Sequence, residues 1–543
     1  MLRVIFGTLV ACTLAVFAAE TQAKNVLLVI GGGPDPGSNQ WSLQRNVEFA
    51  CKTLETADPS GAWDVQIYFA DGPAEACDVQ RKLADRPDNR AVWWLSLLAN
   101  RREMPVMEYV DHSFPQGSQA ATKDNLERGM RQLSESLAGG DRLLVYVTAH
   151  GGPAETGEYY GDGPPEDENP FNTTLALWGG ETVDAAEFSR WLDRFHSDVE
   201  LTLVMTQCYS GGFANVLFHN ADRRQGLNPR PRCGFFAQRH DRVAAGCTAE
   251  IDESGYEEYS SSFWAALGGV DRRNKPLASA ADYDGDGRIT FNEAHAYTVL
   301  HSQTLDIPLR SSDVVLRKFS KIEAGDLGDR SDAESTRSGS GFFGRLFGRD
   351  SDDAEEPRDL PSVAMDTATT LSELAAAARP DQRAVLEGMA EKLGVASTTS
   401  LAELRDKRAG AKKAIDRIRE RQERVYDRLT DSLSQLEERV QERWPQLAEA
   451  EVTYAMFDLA SSGADELVKF VERQPAADAI EVRIAEIESL GDRVMTAEVN
   501  EARWQRLVHA AEVVALQNNL ASHAPGEVVS HYRRLLELEG RGF

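Results

Sequence analysis

"LLVYVTAHGG" (residues 143–152) and "LTLVMTQCYSGGF" (residues 201–213) decide the fold of this chain. Each begins with an apolar run that is long enough for a strand and short for a helix. Each run leads to a reactive side chain, His150 or Cys208, and glycines follow. Strands that are apolar along their whole length are typical of a sheet buried on both faces, and such sheets are mostly parallel.

Three further apolar runs are predicted as buried strands: NVLLVI (residues 25–30), VQIYFA (65–70) and RVAAGC (242–247). Helical patterns at residues 41–54, 123–137 and 183–195 lie between the strands. The alternation predicts an α/β fold with helices on both faces of a mostly parallel sheet. Ligands bind beyond the carboxyl ends of such strands, so His150 and Cys208 should share one site. AVWWLSLLAN (91–100) is predicted as a helix packed on the core, with a wall of the substrate groove as the alternative.

The length and charge of the chain limit its organisation and partners. It has 543 residues, too many for one ordinary domain, and a formal net charge of −28, which argues against nucleic acid and anionic membranes as partners. Residues 24–321 carry the α/β pattern, and 322–360 form a Gly-, Ser- and Asp-rich linker. Residues 361–543 are all-helical, with aliphatic residues at heptad-like spacing that indicate a small bundle or short coiled coil. Protein docking or self-association is the role expected of these helices.

Residues 1–23 are predicted to be a cleaved signal peptide. Arg3 precedes an apolar run at residues 4–19, and small residues stand before Lys24. A single membrane anchor is the alternative, although the run is short for one. The mature protein is therefore expected in the periplasm or outside the cell, without a membrane span.

Signal removal leaves five cysteines, and an odd number in an oxidising compartment suggests one free thiol. Cys208 is the candidate for it. The other four allow three pairings, of which short loops favour Cys51–Cys77 with Cys233–Cys247. The alternative is that all four are buried thiols.

A thiol and an imidazole at one sheet edge form a nucleophile with its base. The imidazole of His150 can take the proton of the Cys208 thiol and later protonate a leaving amine. The glycines allow backbone N–H groups to approach a developing oxyanion. A lone cysteine or His-Gly pair is usually structural, whereas both together indicate a catalytic dyad.

The blocks around these residues resemble legumain-type cysteine peptidases of the caspase-fold group. GSNQWSLQRNVEFAC (residues 37–51), and more weakly ESGY (253–256) with YSSSFW (259–264), agree with the same family, so the resemblance covers about residues 25–264. It implies a caspase-like α/β/α sandwich, with His150 as acid–base and Cys208 as nucleophile. The N–H groups of Gly151 and Cys208 would be the oxyanion donors. His150 stands 58 residues before Cys208, against about 50 for caspases.

The resemblance also implies a specificity pocket. In legumains an arginine, a serine and acidic groups build it, and it favours asparagine. Arg45 and Ser254 stand at the matching positions here, and Glu257 is near the matching acid. Thr206 replaces an acidic residue and removes a negative charge beside Arg45, so aspartate as well as asparagine is expected at the cleaved position.

Two other departures concern the support of the dyad. Leu43 stands where legumains have an orienting asparagine, and Ala149 stands where they have an aspartate before the histidine. An exported endopeptidase acting on protein or peptide substrates is the main hypothesis. A transpeptidase or ligase on the same dyad, and a catalytically silent caspase-fold binding module, are the alternatives.

DYDGDGRITFNE (residues 282–293) matches an EF-hand calcium loop at each required position. Without a cation its three aspartates would repel one another, and an acidic turn without an ion is the alternative. The preceding residues make a poor entering helix, so a single half-hand with a structural Ca²⁺ is expected. The predicted ligands, with the turn glycine, are Asp282, Asp284, Asp286, Gly287, the carbonyl of Arg288, Thr290 and Glu293.

Overall fold

The computed structural model describes residues 23–85, 87–100, 105–154, 169–230, 232–320, 367–448 and 463–543. The predicted signal peptide, up to residue 22, and the predicted linker lie outside these ranges. The strands are β1 (Asn25–Gly32), β2 (Trp63–Phe69), β3 (Val79–Ala84), β4 (Val106–Val110), β5 (Arg142–Ala149), β6 (Gly151–Gly152), β7 (Thr174–Leu177), β8 (Glu181–Asp184), β9 (Glu200–Met205), β10 (Arg232–Phe236) and β11 (Leu309–Arg310).

The helices of the first part are α1 (Trp41–Ala57), α2 (Arg90–Asn100), α3 (Lys123–Ser136), α4 (Ala185–Leu192), α5 (Tyr259–Gly268), α6 (Phe291–His301) and α7 (Ser311–Phe319). Those after residue 366 are α8 (Leu371–Ala377), α9 (Pro380–Leu393), α10 (Leu401–Arg443), α11 (Ala464–Val471), α12 (Pro475–His523) and α13 (Gly526–Glu539).

A six-stranded sheet forms the centre, in the order β11-β10-β9-β5-β1-β2. Its pairs are parallel except β10 with β11. Alternate residues of β1 enter two different hydrophobic clusters, as with Leu27 on one face and Leu28 on the other. Helices α1, α5 and α6 cover the first face, and α3, α4 and α7 cover the second. The predicted α/β/α sandwich is confirmed.

The fifth predicted strand, at residues 242–247, is wrong. Strand β10 pairs with β9 instead, and every residue of β10 is buried. In the 242–247 segment, Gly246 and Cys247 have φ of 122° and 54°, which no strand accommodates. The segment is therefore an irregular stretch outside the sheet.

The C-terminal helices pack against one another and against the sandwich. The long helices α10 and α12 lie side by side, and the predicted aliphatic stripe of α10 is buried at Ile415, Val425 and Leu436. Leu507 of α12 joins the same hydrophobic cluster as Leu28 of β1. The predicted all-helical C-terminal part is therefore confirmed, and it shares a core with the sheet.

Helix α2 confirms the predicted helix but packs elsewhere than expected. Its Trp94 and Leu97 enter a third cluster, formed with α10, α11 and α12 rather than with the sheet. Arg90 at its start pairs with Glu472, whose carboxylate lies 3.0 Å from Nε. Among the described residues, none of the helices is both long and apolar enough to cross a bilayer.

The five described cysteines are all free thiols, so both favoured disulfide pairings are wrong. Cys51 lies on α1 and is buried in the core, whereas Cys77 is exposed. Cys233 belongs to the cluster on one face of the sheet, and Cys247 packs against the cluster on the other. The sheet therefore separates the second pair, a constraint that short loops in the sequence do not reveal.

Candidate active site

Strands β5 and β9 bring His150 and Cys208 to one edge of the sheet. The two strands are parallel neighbours, and Val147 pairs with Met205, an offset of 58 residues. The same offset relates His150 to Cys208, one and three residues beyond their strands. A Cβ added at Gly151 would lie 2.2 Å from the carbonyl oxygen of Cys208, so the chain after the histidine runs directly beside the cysteine.

The tautomer of His150 follows from its hydrogen bonds. Its Nε2 lies 2.7 Å from the carbonyl oxygen of Ser38 and 2.9 Å from Oε1 of Gln40. A carbonyl oxygen can only accept, so Nε2 carries the hydrogen and Nδ1 carries the lone pair. Burial lowers the pKa of His150, which keeps the ring neutral. The imidazole is therefore prepared to accept a proton at Nδ1.

The residues that orient His150 are different from those expected by analogy. Leu43, at the position of the orienting asparagine, is 2% exposed and belongs to the hydrophobic core. Ala149 is likewise buried. Ser38 and Gln40 provide the polar support instead, from the turn between β1 and α1. A backbone carbonyl can orient a histidine from any residue type, so the sequence alone carries no signal for it.

The Cys208 thiol is covered by the segment that was predicted as the fifth strand. The backbone N–H of Ala244 points at Sγ from 3.3 Å, and the N–H of Tyr209 donates to the carbonyl of Arg242 at 2.9 Å. Tyr209 itself has a φ of 58°, a left-handed conformation that costs about 1–3 kcal/mol for such a residue. Burial raises the pKa of Cys208 to about 11, so the thiol is protonated in this arrangement.

Asp306 and two residues of helix α12 hold the segment that covers Cys208 in place. The N–H of Ala245 donates to Oδ1 of Asp306 at 2.7 Å, and Arg242 donates to Oε1 of Gln505 on α12 at 3.0 Å. Arg506, the next residue of α12, donates to the carbonyl of Asp306 at 2.7 Å. Cys208 is thus connected to the C-terminal part through two short chains of hydrogen bonds.

The residues predicted for substrate binding are only partly brought together. Arg45 donates from Nε to Glu253 at 2.7 Å and also pairs with Glu48, which places it beside the predicted Ser254 segment. Ser254 is exposed and donates to Oδ2 of Asp252 at 2.7 Å.

Thr206 and Glu257, the other two predicted substrate-binding residues, have different surroundings. Thr206 is bound to the backbone, since its hydroxyl donates to the carbonyl of Val147 at 2.9 Å. Glu257 is exposed, whereas the next residue, Glu258, is buried and accepts from Asn46 at 3.1 Å. The buried acidic group of this segment is therefore one residue further along than predicted.

A buried network around Glu258 lies directly beneath Arg45 and was not predicted from the sequence. Arg272 donates to Glu258 at 3.0 Å, to the carbonyl of Arg45 at 3.2 Å and to Oδ1 of Asn46. Asn46 also donates to Oγ1 of Thr148 at 3.0 Å, two residues before His150. Burial raises the pKa of Glu258 despite the nearby guanidinium. Adjacent glutamates differ in burial only through tertiary packing, so nothing local distinguished Glu258 from its neighbour.

The predicted calcium loop adopts a compact turn with converging carboxylates. Carboxylate oxygens of Asp282, Asp284 and Glu293 lie within 4.8 Å of one another. Gly287 has a φ of 84°, the conformation that the sharp turn requires of a glycine. Thr290 caps helix α6, and its backbone N–H donates to Glu293 in return at 2.9 Å.

The other predicted ligands of the loop have their own partners. Asp286 accepts from the N–H of Arg288 at 2.8 Å and lies outside the three-carboxylate group. The hydroxyl of Thr290 donates to Glu293 at 2.9 Å. Carboxylate oxygens on a flexible acidic loop fit a hard cation such as Ca²⁺.

Comparison with known proteins finds a distant relative. No protein-family model matches the chain. Metacaspase-4 of Arabidopsis thaliana is 28% identical over 99 residues, which cover 18% of this chain and 22% of that protein. The chain is distantly similar to a metacaspase. This supports a caspase-like relationship and suggests a cysteine peptidase, while the more specific legumain resemblance stays a prediction.

A solved structure of a Geobacter sulfurreducens protein, determined in a structural genomics programme, also aligns with this chain. It is 12% identical and covers 41% of this chain and 77% of that protein, with a TM-score of 0.24. At that score the likeness carries no argument about the fold or the site.

Proposed function

We propose that this protein is an exported cysteine endopeptidase that uses His150 and Cys208 as its dyad. The observation that supports this most directly is the backbone carbonyl that accepts a hydrogen bond from the His150 ring. Because Ser38 offers a carbonyl oxygen to Nε2, the lone pair lies on Nδ1. The β5–β9 register brings the ends of the two strands to one edge of the sheet, which supports a position for Cys208 near this ring.

The proposed reaction proceeds through an acyl-enzyme. Nδ1 of His150 takes the thiol proton as Sγ attacks the scissile carbonyl, and the backbone N–H groups of Gly151 and Cys208 bind the oxyanion. The C–N bond then breaks, and the imidazolium protonates the leaving amine. Water attacks the thioester, gives its proton back to the imidazole, and releases the acid and the thiol.

The charge around Arg45 favours asparagine over aspartate at the cleaved position. Arg45 already pairs with Glu48 and Glu253, so its positive charge is compensated before a substrate arrives. A neutral side chain would meet no net repulsion there, whereas a carboxylate would face two acidic neighbours.

Calcium is proposed as a structural ion of the 282–293 loop. Asp282, Asp284 and Glu293 would hold it, and its charge would relieve the repulsion between their carboxylates. The loop leads directly into α6, whose Phe291 and Ala294 are fully buried in the core. Calcium would therefore stabilise the sandwich rather than take part in the reaction.

The deciding experiment uses the chain from Lys24 with fluorogenic peptides that carry Asn, Asp, Arg or Lys at the cleaved position. Cleavage should be fastest after Asn and absent from Cys208→Ala. The exposed Cys77 supplies a matched control, because Cys77→Ala removes a thiol without touching the dyad. Equal cleavage by the wild type and Cys208→Ala would reject the mechanism.

Two further outcomes distinguish the alternatives. An added amine that appears in the product in place of water would show a transpeptidase or ligase on the same dyad. No cleavage of any peptide, with calcium or with chelator, would favour the binding module that holds a partner through its C-terminal helices.

A further inference from the structure

A second cluster of potential ligands lies outside the dyad and the calcium loop. It consists of Asp71, which follows β2, Asp78, which precedes β3, and His112, which follows β4. Their side chains are 11%, 1% and 2% exposed. Such burial is unusual for two carboxylates and an imidazole unless something compensates their polarity.

The three side chains converge on one point. Nδ1 of His112 lies 2.8 Å from Oδ2 of Asp78 and 3.8 Å from Oδ1 of Asp71. One ring nitrogen of His112 and one carboxylate oxygen of each aspartate all lie within 4.8 Å of one another. Oδ1 of Asp71 is inaccessible to solvent and has no hydrogen-bond donor among the described residues. A buried carboxylate oxygen without a donor is costly, and a cation would satisfy it.

Neighbouring groups fix the orientation of these ligands. The far nitrogen of the His112 ring, Nε2, lies 2.9 Å from Oγ of Ser118, and the backbone N–H of His112 donates to Oδ1 of Asp78 at 3.1 Å. A histidine that binds a metal through one ring nitrogen characteristically forms a hydrogen bond with the other one. That hydrogen bond sets the tautomer and directs the metal-binding nitrogen to the ion. Here the arrangement leaves Nδ1 facing both carboxylates.

We propose that Asp71, Asp78 and His112 form a binding site for a zinc-class divalent cation. An imidazole with two carboxylates suits zinc and its neighbours, whereas calcium and magnesium prefer oxygen ligands alone. With zinc–ligand distances of about 2.0–2.1 Å, tetrahedral geometry separates ligand atoms by about 3.3 Å. The two measured separations from Nδ1 lie on either side of that value. Three protein ligands leave a fourth position for water.

The site is connected to the support of the catalytic histidine. Asn39 donates from Nδ2 to the carbonyl of Asp78 at 3.0 Å, and its Oδ1 accepts from the N–H of Gly33 at 3.1 Å. Asn39 directly follows Ser38, whose carbonyl holds His150. A cation here would tie the loops after β2 and β4 to the turn that orients the dyad. The binding site itself does not depend on the chain being a peptidase.

The test measures zinc binding without any activity assay. The full chain from Lys24 carries Cys208→Ala, and calcium is kept in excess so that it occupies the 282–293 loop. Zinc is titrated against a chromophoric chelator. One zinc per chain is expected, and Asp71→Asn should weaken its binding by more than about tenfold, since even the loss of an outer partner of a metal ligand costs about 10- to 100-fold.

Two control variants make the zinc test specific to the cluster. Asp64→Asn changes an exposed aspartate of β2 and should leave zinc binding unchanged. Cys77→Ser should also leave it unchanged, because its thiol lies outside the cluster. Loss of zinc in Cys77→Ser would overturn the proposal, as would equal affinity of Asp71→Asn and the parent. If Asp71→Asn fails to fold, His112→Gln is titrated instead, with the same expectation. The absence of zinc binding by the parent would also overturn it.

Discussion

Replacement of Arg506 by methionine should free the segment that covers Cys208. Arg506 is 2% exposed, and its guanidinium donates to three backbone carbonyls of the 302–306 loop. The bonds run to Ser302 at 2.9 Å, Thr304 at 2.8 Å and Asp306 at 2.7 Å. Methionine keeps the unbranched apolar stem of the side chain but is shorter than arginine and supplies no donor.

The magnitude follows from these three bonds. Hydrogen bonds from a charged donor contribute about 1.5 kcal/mol or more each, and the stranded carbonyls are buried, so the loss is about 4–5 kcal/mol. Since 1.4 kcal/mol corresponds to a factor of ten, the equilibrium for opening this loop rises by roughly a thousandfold. Asp306 accepts a hydrogen bond from the N–H of Ala245, and the N–H of the adjacent Ala244 contacts the Cys208 thiol. The thiol should therefore become accessible to solvent when the 302–306 loop opens.

The assay is the rate at which iodoacetamide labels each cysteine, followed peptide by peptide by mass spectrometry. Cys208 should be labelled much faster in Arg506→Met than in the wild type. Exposed Cys77 checks the reagent, and buried Cys233 reports global unfolding. Arg503→Met serves as the control, because Arg503 is a half-buried arginine of the same helix that donates to the side chain of Gln303 rather than to the loop carbonyls that Arg506 holds.

Two results would refute this reasoning. A Cys208 labelling rate in Arg506→Met within about twofold of the wild type would show that the loop does not hold the covering segment. Equal acceleration at Cys233 would show that the fold as a whole had loosened, and that the effect is not local to the site.

Three further predictions concern the pocket, the base and the calcium loop. Glu258→Gln should destabilise the protein by about 3–5 kcal/mol, because the buried guanidinium of Arg272 loses its carboxylate partner. The control Glu257→Gln changes an exposed side chain and should alter stability by less than about 0.5 kcal/mol. Equal urea unfolding midpoints for the two variants would contradict this prediction. Because burial lowers the pKa of His150 from its ordinary value of about 6.5, kcat/KM should stay constant as the pH falls to about 6.5 and should decrease only at more acidic pH. An acidic limb of the pH profile centred above about 6.5 would contradict this expectation. Free calcium at about 100 times its Kd should stabilise the wild type by about 2.7 kcal/mol and leave Asp282→Asn nearly unchanged; equal thermal shifts would exclude the loop as the site.

Much of the fold was predictable because its signals are local. Strands β1, β5 and β9 are runs of mostly apolar residues, and a run buried on both faces is recognisable without knowledge of its neighbours. The meeting of His150 and Cys208 followed from the same pattern, since parallel strands end at the same edge of their sheet. The 282–293 loop was also readable, because its carboxylates recur at fixed spacings along the chain.

The failures share one feature, which is that the deciding contact joins residues far apart in sequence. RVAAGC has the composition of a strand, but β10 occupies the place beside β9, and residues 242–247 lie over Cys208 instead. Helix α2 looks like a core helix, yet its partners belong to the C-terminal helices α10, α11 and α12.

The sequence by itself determined the class of fold, the two reactive side chains and the acidic loop. Tertiary structure alone decided which glutamate is buried, which carbonyl orients His150, and that Arg506 reaches the loop that holds the segment over Cys208. The physical reason is that apolar periodicity and strand direction are properties of a short segment. Burial and hydrogen-bond partners, by contrast, depend on which distant segments the whole chain places against it.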